Sequence, residues 1–132
     1  AHPVKNLPLV IGTMDGSRDS MPAGINFSHL GTYDSALSIF NDLSIAHPAN
    51  SNAQQYAGMA YLSSHRYAKA IAAFDQLAQQ KLFSNPALFY KAVTLLNRNE
   101  IGDKDAAKIL LQQVKDQNLE GSKQAAEWLA GW

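Results

Sequence analysis

Cysteine is absent from this chain. Without it there is no disulfide framework and no thiolate metal site, and the absence fits any compartment. Charge is sparse as well as balanced. Charged residues make up 17% of the sequence, with 11 Lys+Arg against 11 Asp+Glu, where globular domains carry about 25%. Phosphate backbones and anionic membrane surfaces select basic excess, so nucleic-acid binding and polybasic membrane attachment are disfavoured. A sparsely charged surface of zero net charge is prone to association, which points to a partner or a second copy covering part of it. Long apolar runs are missing too. The longest cluster, Leu7-Pro8-Leu9-Val10-Ile11, is interrupted by proline and falls short of the roughly 18 residues of a membrane span. The first residue is Ala1 rather than Met, which fits a processed or cloned piece, with any signal or membrane anchor lying upstream.

The residue patterns of catalysis are also missing. His2, His29, His47 and His65 never pair at i+3 or i+4, and no carboxylate flanks them at metal-ligand spacing. Gly12 and Gly16 are not followed by the Lys-Ser or Lys-Thr of a phosphate loop, and no Gly-x-Ser-x-Gly elbow occurs. Asp103 and Asp105 read as first-turn residues favoured by a helix dipole. The expectation is a protein without catalysis, cofactor or metal.

What is present is a core's worth of apolar sequence, 46% of 132 residues, enough for one ordinary domain. Residues 1–16 have no helical period. Pro3 and Pro8 favour extended backbone, and Gly12, Asp15 and Gly16 favour turns, so this stretch reads as an extended arm. It is either a linker or a segment that docks in a groove. Helices follow from about Ser20. One face of the first carries Gly24, Phe27 and Leu30; Gly31-Thr32 breaks it, and Thr32 can cap a helix from Tyr33 to about Ala46. Asn50-Ser51-Asn52 caps a third with Tyr56, Ala57, Gly58, Ala60, Tyr61 and Leu62. The fourth, Tyr67 to Leu77, places Tyr67, Ala70, Ile71, Phe74 and Leu77 on one face. Asn85-Pro86 opens a fifth, with Asn85 as cap and Pro86 at the first helical position. Asp103 caps a sixth through Ala106, Ala107, Leu110, Leu111 and Val114, and Gly121-Ser122 starts a seventh with Trp128 and Trp132. Short turns make neighbouring helices antiparallel. The chain is expected to be all-α.

The helices repeat. Tyr33 and Tyr67, Ala36 and Ala70, Phe40 and Phe74, and Leu43 and Leu77 each lie 34 residues apart. The same offset joins Gly24, Gly58 and Ala92, and Phe27, Tyr61 and Leu95. A small residue lets paired helices approach, and a large one fills the space beside it. This pattern resembles the tetratricopeptide repeat (TPR), a helix–turn–helix unit of about 34 residues. The resemblance rests on Gly58, Tyr61, Tyr67, Ala70, Phe74 and Leu77 in one unit and on Gly24, Phe27, Tyr33, Ala36, Phe40, Leu43 and Pro48 in another. It implies a right-handed α-α superhelix in 17–132, with units at about 17–50, 51–84 and 85–121, a capping helix at 122–132, and the arm 1–16 ahead of it. The third unit departs from the pattern: its turn is three residues longer, so Ala107 and Leu111 match Ala70 and Phe74, and Lys104 stands in the tyrosine position. Gly102-Asp103-Lys104-Asp105-Ala106-Ala107-Lys108 with Ala125-Ala126-Glu127-Trp128-Leu129 is also similar to the end of TPR modules on membrane-anchored bacterial proteins. That implies an extracytoplasmic, periplasmic location.

In the family, defined positions of each first helix line a concave groove that binds a protein or peptide segment. They fall here on Met21, Ile25 and His29, then Gln55, Met59 and Ser63, then Phe89, Val93 and Asn97, with Tyr56 and Tyr90 beside them. The competing reading of Tyr56, Met59 and Tyr90 is packing between repeats. The family's grip on an acidic C-terminal tail needs Lys, Arg and Asn at these positions, and they are mostly absent. The resemblance thus implies a scaffold for protein–protein interaction. The alternative is a structural or oligomerisation module whose own arm fills the groove. Trp128 reads as core against Ala107, Leu111 and Val114. Trp132 either folds back as part of the cap or marks an edge for self-association.

Overall fold

The computed structural model of the chain describes residues 21–82 and 84–132. The expected arm 1–16 and the capping role of Ser20 lie outside the described residues. Among these residues the structure is helical throughout, with α1 Met21–His29, α2 Tyr33–Ala46, α3 Ser51–Ser63, α4 Tyr67–Ala78, α5 Ala87–Arg98, α6 Asp103–Asp116 and α7 Ser122–Ala130. No described helix is long and apolar enough to cross a membrane. The described residues belong to two compact units, which meet in sequence between Ala73 and Phe74, inside α4.

In the first unit α1 packs on α2 and α3, and α2 packs on α3. The core is assembled from one stripe of each helix: Met21 and Ile25, then Ala36, Leu37 and Phe40, then Ala53, Tyr56, Ala57, Met59, Ala60 and Leu62. Gly24 is where α1 and α2 come closest. A Cβ there would lie 2.6 Å from Cε1 and 2.9 Å from Cζ of Phe40, so the glycine creates the space that the ring fills. Phe40 in turn stacks on Tyr56 of α3, with centroids 5.8 Å apart and planes 25° apart.

In the second unit α5 packs on α6, and α6 on α7. Phe74 and Leu77, from the last turns of α4, are fully buried. Phe74 stacks on Tyr90 of α5 with centroids 5.5 Å apart and the same 25° between planes. Phe40 and Phe74, like Tyr56 and Tyr90, are 34 residues apart; the sequence period returns as a repeated ring contact. Ala107, Leu111 and Val114 form the fully buried stripe of α6.

The helix ends repeat as well. At the close of α1, Thr32 N–H donates to Phe27 O (2.9 Å) and Gly31 N–H to Ser28 O (3.1 Å), with Gly31 left-handed at φ +80°. At the close of α3, Arg66 N–H donates to Tyr61 O (2.8 Å) and His65 N–H to Leu62 O (3.0 Å), with His65 at φ +62°. Each is the paired-bond ending that a left-handed residue makes possible. After α5, Asn99 is left-handed at φ +56° and donates to Leu95 O, and Glu100, Ile101 and Gly102 then lengthen the turn.

Three capping expectations are corrected. Thr32 makes no side-chain cap to α2; its hydroxyl donates instead to Phe27 O (3.0 Å), one of the orphan carbonyls ending α1. Pro86 occupies the N-cap of α5 rather than its first helical position. Asn85 stands one residue earlier, where its Oδ1 accepts from Ala87 N–H (3.0 Å) and its Nδ2 donates to Leu77 O (2.8 Å) and Gln80 O (3.2 Å), joining the end of α4 to the start of α5. Asp103 is the first residue of α6, after a Gly102 N-cap, because its carboxylate is committed elsewhere. It takes two bonds from Arg98, Nε at 2.8 Å and Nη2 at 2.7 Å, and one from Glu100 N–H at 2.9 Å. Asn50 does cap α3, accepting from Asn52 N–H at 3.0 Å.

Candidate functional site

The expected binding positions lie on first-helix faces in both units, and each face is described by itself. On α3, Gln55, Met59 and Ser63 follow one another at one-turn intervals. Ser63 is exposed and Gln55 half-buried, but Met59 is only 1% exposed. Tyr56 is buried under its stack with Phe40, and burial pushes its phenol pKa up. The face ahead of it, on α1, leaves only His29 exposed; Met21 and Ile25 belong to the core. The opposite flank of α3 presents Tyr61. Its hydroxyl accepts from Asn41 Nδ2 at 3.3 Å, and the Lys69 ammonium sits 5.9 Å from its ring centroid.

On α5, Phe89 and Tyr90 are half-buried and Val93 is fully buried. Asn97 is half-buried and its Nδ2 donates to Val93 O at 2.8 Å, so its amide turns back along its own helix. Phe89 packs between helices. Its ring stacks on Trp128 of α7 at 5.3 Å and meets Tyr90 edge-on at 5.7 Å. A Cβ on Gly121 would lie 2.6 Å from Cγ of Phe89. The rings of Phe74, Tyr90, Phe89 and Trp128 thereby form a continuous series. Sequence reasoning placed Trp128 against the buried stripe of α6 and did not foresee the stack on Phe89. The available signal was Gly121, which has no side chain to exclude that ring from the start of α7. Trp132 is half-buried with the Lys104 ammonium 5.8 Å from its ring centroid, which puts to use the lysine that replaces the repeat's tyrosine.

The strongest electrostatic feature lies away from these faces. The hydrogen bonds from Arg98 hold the Asp103 carboxyl below the usual carboxylate range, outweighing the burial that would raise it, and the Glu100 N–H adds to the effect. Arg98 is raised in turn by its bond to Asp103. No group of three or more His, Cys, Asp or Glu side chains that could hold a metal ion occurs among the described residues. What the two faces can do chemically is make van der Waals and hydrogen-bonding contact, through Gln55 and Ser63 on one and the edges of Phe89 and Tyr90 on the other. Neither a protein-family model nor a curated protein matches this chain.

Proposed function

We propose that the three helix pairs are tetratricopeptide units of a right-handed superhelical scaffold without catalytic activity, and that the chain binds a segment of another protein through its first-helix faces. The observation that carries this reading is the recurrence at 34 residues of both the Phe–Tyr stack and the left-handed helix ending. A fold built by repeating one hairpin repeats its first-helix face as well. Here those faces combine half-buried aromatics with polar side chains, the composition of a peptide-recognition surface. Gln55 and Ser63 offer the outermost positions, Phe89 and Tyr90 the apolar ones, and Met59 and Val93 lie beneath as packing.

A phage-displayed peptide library selected on the immobilised chain tests this, with the selected peptides titrated by calorimetry. Ser63→Trp fills an exposed position without entering the core and is expected to weaken binding about tenfold, roughly 1.4 kcal/mol. Lys108→Ala, on the exposed side of α6, leaves binding unchanged. A selection that returns no binding peptide overturns the proposal, and so does a peptide that binds Ser63→Trp as tightly as the parent chain.

A second reading, the structural module whose own arm fills the groove, is favoured by one observation. Met59 and Val93, both expected to line the groove, are 1% and 0% exposed.

A further inference from the structure

We draw no further inference here: the strongest candidate, the α5–α6 turn on which the buried Arg98–Asp103 pair sets a fully exposed Ile101, carries nothing because it is an unpartnered apolar surface and nothing in the structure shows what covers it.

Discussion

Gly24 and Ser28 share one face of α1 and have opposite relations to the core around them. Gly24 is required by its neighbour: the Phe40 ring is fully buried and has no room to retreat from a Cβ. Gly24→Ala is therefore expected to cost about 1–3 kcal/mol through overpacking, read as a lower urea midpoint; an unchanged midpoint would mean that the two helices separate without penalty. Ser28 is 5% exposed and its Oγ has no hydrogen-bond partner. The repeat places Leu62 and Leu96 at the same position, buried to 6% and 5% exposure. An orphan hydroxyl costs its desolvation without return, so Ser28→Ala is expected to stabilise the fold by about 1 kcal/mol. A destabilised variant in the same urea titration would contradict that account. Ala70, also fully buried, is the matching small position of the next unit. Ala70→Leu should lose about 1–3 kcal/mol for the same steric reason as Gly24→Ala.

At the scale of elements, the helix ends decide how the chain turns. His65 adopts a left-handed conformation that glycine adopts more cheaply, and Gly31 holds the equivalent place one repeat earlier. His65→Gly is expected to raise stability by about 0.5–1 kcal/mol, offset in part by loss of the 2.7 Å contact from its Nδ1 to the Tyr67 hydroxyl. A thermal midpoint below that of the parent would show the contact to be worth more than the strain. The nearby Arg66–Asp34 pair is well exposed, its side chains retaining 38% and 84% of their surface, and contributes at most about 1 kcal/mol.

The longer α5–α6 turn depends on the buried pair. Asp103 has a lowered pKa in the folded protein, so the unfolded chain binds its proton more readily. Its stabilisation is therefore complete above the unfolded carboxyl value of about 4 and is lost as pH falls through the lower folded value. Asp103→Asn leaves Arg98 without its carboxylate and is expected to cost on the order of 3 kcal/mol at neutral pH. The gap between variant and parent should narrow as pH drops below about 4. Urea unfolding across that range checks it, and a gap independent of pH would remove Asp103 from the acid response.

At the scale of the whole molecule, the outer side of α7 is polar where Lys123, Gln124 and Glu127 are exposed, while Ala125 and Trp128 are buried. That is how a closing helix ends a repeat array. The arm-filled reading makes its own prediction at this scale. Deleting residues 1–16 should lower the thermal midpoint or change the elution volume on gel filtration if those residues cover apolar surface. Unchanged stability and unchanged size would discard it and leave the peptide-binding reading standing.

How far the sequence carried depended on the range of the interaction involved. Apolar period, turn residues and the 34-residue offset are local or repeating signals, and they placed all seven described helices, with α2 at Tyr33–Ala46 as expected. Small residues at Gly24, Ala70 and Ala92 announced close helix contacts, and each is buried. Caps were less legible, because Thr32 and Asp103 each choose between several nearby partners and the local pattern does not rank them. The candidate site was the least legible. Heptad-like spacing puts Met59 and Ser63 on one helix face, but one is enclosed and the other exposed. By itself the sequence determined that the chain is helical and repeats, since both follow from contacts within a turn or within one hairpin. Only the tertiary structure decided that Phe89 stacks on Trp128, that Arg98 closes on Asp103, and which residues of the binding face keep any surface. Those outcomes depend on the volume and charge that distant residues bring to the same point.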